Sequence, residues 1–326
     1  MRAVVVARPG APDGLEVQDV PQEQPAGSEV LVAVKAAALN RADLLQRRGL
    51  YAPPAGFDAT RLGLEYAGVV VACGAHAALR KVGDRVMGLL PTGAQAEFVT
   101  VQERETILVP DGVPWEVAGA FPEAFLTAYR ALVVEGGFKP GDSCLVRGAT
   151  SAVGQAVVQW ARLLEAGCVL STGRNLERLG RVSGTTPQEC FAEGSADLVS
   201  WVKDRATGGV QVVVDLVGGE VLGEHLACLA EEGSWVLVGL LGGMQTTINL
   251  GALLARRLTL RAMTMRSLPL ERRIALVHEV GARAAAALST GRLQVTVDQA
   301  LPMAQVRQAH ERMEAGHHFG KLVLLP

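Results

Sequence analysis

The stretch Cys144–Gln159, CLVRGATSAVGQAVVQ, has the residue types and spacing to hold a nucleotide. An apolar strand runs into a loop of small residues and then a helix, whose free N–H groups and positive dipole end suit a phosphate. Set against the dinucleotide template G-x-G-x-x-G, the marked positions are Ala149, Ser151 and Gly154, so one template glycine is kept. Those glycines serve a tight turn, close approach of backbone to pyrophosphate, and helix–strand packing. Alanine and serine fill the first two roles where φ stays negative; at positive φ each costs on the order of 1 kcal/mol. Ala152 and Val153 are expected to offer backbone N–H groups to a pyrophosphate, Ser151 a hydroxyl, and Gly154 the packing contact. The alternative is an ordinary strand–loop–helix that binds nothing.

A second strand, Cys168–Ser171, ends about 20 residues later, where an NAD site places an acid on the ribose hydroxyls. Here the tip reads Ser171, Thr172, Gly173, Arg174, Asn175, with Arg178 following and no acid at the tip. An adenosine 2′-phosphate finds a bidentate partner in Arg174, so NADPH is the expected cofactor; the alternative is two solvated arginines at a helix start. Later strands end in the glycine-rich tips Leu216–Gly219 and Val238–Gly243, the second containing Gly239 and Leu240. Such tips leave room for a flat cofactor ring. Asp215 is placed to cap the first of these turns. Lys321, on a C-terminal strand, is placed either to reach the cofactor or to sit in solvent.

Holding these groups takes a chain with a sizeable core. Its 326 residues suggest roughly two domains, and the mix of 49% apolar and 20% charged residues fits a globular protein. A formal net charge of −2 gives no reason to expect nucleic acid or an anionic membrane. Cys73, Cys144, Cys168, Cys190 and Cys228 form no CxxC pair, which argues against a disulfide framework or a structural zinc lobe. No apolar run is long enough to span a bilayer, and the opening MRAVVVARPG is too short for a signal peptide. The expected setting is reduced and cytoplasmic.

Up to about Val109 the chain reads as short strands between turns, indicating a small barrel or sandwich: Glu29–Ala38, Tyr66–Cys73, Arg85–Leu90, Ala96–Val101 and Thr106–Val109. Glu116–Val134 has helical spacing. Beyond it, the strands Cys144–Arg147, Cys168–Ser171, Val210–Leu216 and Ser234–Val238 alternate with helices at Ala152–Leu164, Ser195–Ala206 and Glu220–Ala230. Continuously apolar strands alternating with helices indicate a parallel sheet covered on both faces. A helix at Ile274–Leu288, a strand at Gln294–Ala300, a helix at Met303–Ala315 and a strand at Lys321–Leu325 complete the pattern.

The segments ALNRADLLQRRGLYAPPAG (Ala38–Gly56), LGLEYAGVV (Leu62–Val70), FPEAFLTAYRAL (Phe121–Leu132), GSWVLVGLLGG (Gly233–Gly243) and MEAGHHFGKLVL (Met313–Leu324) resemble the zinc-independent medium-chain dehydrogenase/reductases. Within that family they are most similar to the tumour-suppressor-inducible branch of the zeta-crystallin-like quinone oxidoreductases. The resemblance implies a GroES-like catalytic domain from residues 1–121 and 264–326, with a Rossmann cofactor domain at 122–263 between them. It also implies a homodimer paired through cofactor-domain edge strands around Leu258–Met265. Family members usually have glycine at the place of Ala152 and histidine or a similar residue at Arg147. The stretch after Arg178 lacks the usual alanine-rich helix.

Zinc-dependent relatives place a cysteine and a histidine where this chain has Asn40 and Leu64, so a catalytic zinc finds no thiolate or imidazole there. Without that Lewis acid a simple ketone is a poor substrate, whereas a quinone or enone accepts hydride with hydrogen bonds steadying the developing negative oxygen. The implied reaction is hydride transfer from NADPH to such a substrate in an interdomain cleft. Asn40 and Tyr51 would contact the substrate oxygen, and Thr127 the nicotinamide carboxamide; solvent would supply the proton. Each has a plainer alternative: Asn40 as a helix cap, Tyr51 as a loop anchor, Thr127 as a helical threonine bonded to its own backbone. Glu65 and Asp43 read as structural carboxylates. Competing functions are an alkenal or enoyl-thioester reductase, for which Arg256, Arg257 and Arg261 could form a basic patch, and a non-catalytic, crystallin-like NADPH-binding protein.

Overall fold

The computed structural model describes all residues from Met1 to Pro326. The N-terminal part opens with β1 (Arg2–Val6) and β2 (Leu15–Asp19), an antiparallel pair, followed by the ten-residue β3 (Glu29–Ala38). Helix α1 (Arg41–Arg47) is capped at Asn40, and β4 (Glu65–Cys73), β5 (Arg85–Leu89), β6 (Phe98–Gln102) and β7 (Thr106–Leu108) follow. The expected helix over Glu116–Val134 is interrupted. α2 (Trp115–Ala118) stops at Gly119, where a side chain would run into the Ala36 backbone. α3 (Pro122–Tyr129) then starts at a proline, a residue suited to a first helical turn, and continues as a π-helical segment over Arg130–Glu135.

Next come β8 (Ser143–Arg147), α4 (Ala152–Leu163), β9 (Cys168–Gly173), the short α5 (Leu176–Leu179) and β10 (Cys190–Ala192). They are followed by α6 (Leu198–Arg205), β11 (Val210–Asp215), α7 (Leu222–His225), β12 (Leu229–Leu237), α8 (Leu250–Ala255) and β13 (Thr259–Ala262). Two expectations need correction here. The helix expected from Ser195 begins only at Leu198, because Asp197 takes the N-cap and accepts from the Val199 and Ser200 N–H groups. The helix expected over Glu220–Ala230 shrinks to α7 and one 3₁₀ turn, because Leu229 already pairs with Val210 as β12. The chain closes with the twenty-residue α9 (Leu270–Ser289), β14 (Val297–Pro302), α10 (Val306–Ala315) and β15 (Lys321–Leu325).

The chain divides into two compact units, one of residues 1–126, 265–291 and 295–326, the other of residues 127–264 and 292–294. The first holds a seven-stranded sheet in the order β14-β15-β3-β4-β5-β7, with β6 also paired to β3. Its core joins both parts of the chain: Val4, Leu15, Leu39 and Leu44 pack with Met303, Val306, Leu322 and Leu324. The second holds a six-stranded sheet in the order β10-β9-β8-β11-β12-β13, every pairing parallel. Buried Leu145, Leu170, Val213 and Trp235 pack on one face with Leu198, Val202, Leu222 and Leu226. A GroES-like unit and a parallel Rossmann sheet are thus both present, as expected.

Candidate functional site

The nucleotide loop sits where β8 gives way to α4. Its turn is made at Gly148, whose φ of +79° suits glycine. The left-handed position therefore falls one residue before the first template position. Ala149, Ser151 and Ala152 stay out of that region, which among non-glycines holds only Glu165, Glu232 and Arg257. The penalty foreseen for alanine and serine in the loop does not arise. Gly154 keeps the packing role: a Cβ there would lie 2.5 Å from the Gly148 carbonyl oxygen. Ser151 caps α4, its hydroxyl donating to the Gly148 carbonyl (2.9 Å) and accepting from the Gly154 N–H (3.1 Å). The N–H groups of Ala152 and Val153, in the first turn of the helix, find no acceptor in the chain. They are the kind of donors that bind phosphate.

Around this loop the strand tips are held by a buried charge pair. Arg147, ending β8, donates to Asp215, ending β11, at 2.9 Å, and both are fully enclosed. Asp215 also accepts from the Trp235 indole (3.1 Å) and from the N–H groups of Val217 (2.8 Å) and Gly218 (3.0 Å). It therefore caps the turn as its position suggested, and it locks the Leu216–Gly219 tip. The second tip is joined to the first by a bridge between Gly218 and Gly243. Gly239 lies against the Leu216 carbonyl, 2.6 Å from where its Cβ would be, and Leu240 is exposed. Gly173 ends β9 against Leu179. Arg174 follows it, exposed, and the Arg178 N–H is taken by Asn175. One acid near the β9 tip escaped sequence reading. Glu193, just past β10, accepts from the Thr172 hydroxyl at 2.8 Å and lies 3.9 Å from Arg147. A three-residue strand carries too little pattern to announce it. The Thr127 hydroxyl is buried and makes no hydrogen bond, so it does not bond its own helix.

The other unit carries a polar network. Glu65, on β4, is wholly buried; it accepts from the Asn40 amide (2.9 Å), the Lys321 ammonium (2.5 Å) and the Glu123 backbone N–H (2.8 Å). Lys321 also donates to the Asn40 carbonyl oxygen at 2.6 Å, so it is neither solvated nor unpaired. Such a pair is well satisfied, and removing either partner strands a buried charge, at about 3–5 kcal/mol. Asp43 accepts from the N–H groups of Asn40 (2.7 Å) and Gly63 (3.0 Å). Burial pushes its carboxyl up to about 6 despite these bonds and the nearby Arg266 and Lys321 charges. The Tyr51 ring lies under the Arg266 guanidinium, 4.5 Å to the centroid, and its carbonyl accepts from the same arginine at 2.8 Å. Burial raises the phenol above its ordinary value.

Two charged pocket residues were not singled out from the sequence. Glu123 and Arg266, together with Leu64, Leu90 and Pro91, line a pocket in this unit. Burial is the largest cause pushing the Glu123 carboxyl up to about 8, with the Glu65 and Asp43 charges adding to it. Nothing local marks either residue, because the pocket is assembled from distant segments. As for a metal, Asn40 and Leu64 offer no zinc donors, and no group of three or more His, Cys, Asp or Glu side chains is arranged to hold an ion. The donor set does not fit zinc.

Fold and site together define an oxidoreductase scaffold, a GroES-like unit paired with a Rossmann sheet. The Alcohol dehydrogenase GroES-like domain profile matches residues 26–111, and the Zinc-binding dehydrogenase profile residues 188–324. The chain belongs to the medium-chain dehydrogenase/reductase family. It is 30% identical to the human synaptic vesicle membrane protein VAT-1 homolog over 344 residues, covering 100% of this chain and 86% of that protein. To the mouse quinone oxidoreductase-like protein 2 it is 32% identical, over 75% of this chain and 70% of the relative. Among solved structures, Escherichia coli quinone oxidoreductase complexed with NADPH superposes with a TM-score of 0.87 at 26% identity, covering 100% of both chains. CurK enoyl reductase gives 0.85 at 25% identity, covering 99% of this chain and 98% of the other. No helix of this chain is long and apolar enough to cross a membrane.

Proposed function

We propose that the protein reduces quinones with NADPH, without zinc, as expected of the zeta-crystallin-like quinone oxidoreductase branch. The observation carrying this reading is the pair of free N–H groups at Ala152 and Val153, next to a β9 tip that offers Arg174 and no acid between residues 171 and 175. The residues present fit the dinucleotide: the N–H groups of Ala152 and Val153 would hold the pyrophosphate, with Gly154 keeping the helix start close to the loop, and Gly173, Arg174 and Arg178 would hold the phosphorylated ribose. Thr127, with its unsatisfied hydroxyl, and the Gly239–Leu240 tip would meet the nicotinamide. When bound, NADPH supplies a hydride equivalent. Asn40, fixed by Glu65 and Lys321, and Tyr51, held under Arg266, would supply the polar contacts to a substrate oxygen, which low-dielectric surroundings strengthen. An acceptor already activated by conjugated carbonyls needs no Lewis acid, which matches a donor set without thiolate or imidazole.

An enoyl-thioester reductase is the second reading, favoured by the likeness to CurK. The basic patch it would use is compromised. Arg256 bonds the Leu226 and Leu229 carbonyls, Arg257 pairs with Glu231 and Glu232, and Arg261 pairs with Glu135 at 3.5 Å. A panel of quinones, alkenals and enoyl thioesters assayed with NADPH separates the two. For the cofactor, Arg174→Ala is expected to weaken NADPH binding about tenfold or more, as befits a lost charge-assisted contact, and to leave NADH unchanged. Equal losses for both nucleotides by calorimetry would remove Arg174 from the phosphate site. A homodimer through β13 is part of the same proposal.

A further inference from the structure

Arg266 lies in the pocket wall with 7% of its surface exposed. One terminal nitrogen donates to the Tyr51 carbonyl and the other to the Gln46 side chain at 2.6 Å, but its Nε–H has no partner. A buried donor left unpaired costs roughly 1–3 kcal/mol and calls for an acceptor. Glu123 lines the same pocket from the first turn of α3. The groups around its carboxyl are Glu65 on β4, Lys321 on β15, Asp43 on α1 and Arg266, and the pocket wall adds Arg273 on α9. Arg273 is neutralised by Glu105, and Lys321 by Glu65. The local balance is thus two carboxylates, one of them paired, against Arg266. Burial and these charges, rather than any hydrogen bond, set the acidity of the Glu123 carboxyl.

We propose that Glu123 and Arg266 are catalytic residues that receive the substrate's carbonyl oxygen, Arg266 through its Nε–H and Glu123 as the proton donor. The inference rests on the reductase reading and replaces solvent as the immediate proton source. As a hydride from NADPH forms a bond to the conjugated acceptor, the Glu123 O–H bond breaks and an O–H bond forms on the substrate oxygen. The acceptor would thus gain one hydride, which carries the two electrons, and one proton; bound NADPH would supply the hydride, and the carboxylate would regain its proton from water. With its carboxyl raised to about 8, Glu123 holds the proton at neutral pH and loses it as pH rises through that value.

The test pairs kinetics with infrared titration of the protein alone. In the unaltered chain a protonated-carboxyl C=O stretch should disappear with a midpoint near pH 8 and be missing from Glu123→Gln. Glu123→Gln should lower kcat for a benzoquinone at pH 7 by roughly a hundredfold or more. It should also lose the fall in kcat above pH 8 and leave the NADPH Kd unchanged. Arg266→Lys, which keeps the charge and removes the Nε–H, should raise KM for the quinone about tenfold. Unchanged kcat and pH profile in Glu123→Gln would overturn the role of Glu123, and an unchanged KM in Arg266→Lys that of Arg266. If Glu123→Gln does not fold, the unaltered protein decides: no carboxyl titrating above pH 7 overturns the proposal. Absence of turnover by the unaltered chain with every acceptor would instead remove the reductase reading itself.

Discussion

Among single residues, His310 shows how an enclosed titrating group couples pH to stability. It lies on α10 with its Nδ1 3.3 Å from an Arg47 nitrogen. Arginine only donates, so Nδ1 is the acceptor and the ring's proton sits on Nε2. Burial, reinforced by the Arg47 charge, pulls the ring from 6.5 down to about 3. The unfolded chain therefore binds a proton between those values that the folded chain refuses, and stability falls as pH drops from 6.5 toward 3. Asp43 acts with opposite sign. Its carboxyl is raised to about 6, so the fold retains a proton there that the unfolded chain gives up, and acidification toward 4 favours the fold. His310→Asn, which removes the titrating ring, should lose less stability than the parent between pH 7 and 5, as read from urea midpoints. An identical loss in both proteins would exclude His310 as a source of the acid sensitivity.

At the scale of elements, the loop between β8 and α4 decides whether a nucleotide is held, and it does so by fit of backbone to backbone. Gly154→Ala would place a methyl group 2.5 Å from the Gly148 oxygen and force the loop off the helix start. NADPH binding should become undetectable by calorimetry at micromolar protein, while Ala152→Gly should bind with near-parental affinity. Equal binding by Gly154→Ala would show that the helix start tolerates displacement. This loop also marks how far the sequence could be read. The strand, the helix and the role of Gly154 were legible from apolar runs and residue size. The turn at Gly148 was not, because a template finds spacing and only the backbone shows which residue is left-handed. β3 was bounded correctly by its ten-residue apolar run ending at Asn40. β10 and the shortness of α7 went unread because both are fixed by pairing to distant strands. Glu123 and Arg266 were hidden for the same reason.

For the molecule as a whole, the exposed edge of the parallel sheet calls for a partner. β13 pairs only with β12, α8 buries none of its residues, and Leu254 is 82% and Leu250 73% exposed. An apolar open edge of this kind invites pairing with another chain. Light scattering should report a dimer, and Leu254→Asp combined with Leu260→Asp should yield a monomer that keeps its melting temperature within a few degrees. A parent protein that is already monomeric at micromolar concentration would end the dimer proposal. The interleaved layout of the first unit also bears on how the chain is born. β15 lies between β14 and β3 in its sheet, so that sheet stays incomplete until the last strand has left the ribosome. At roughly 5–20 residues per second the nascent barrel waits on the order of 10–40 s with an unpaired rim. The contiguous nucleotide-binding half can collapse in that interval, which makes this delay the natural moment for chaperone capture.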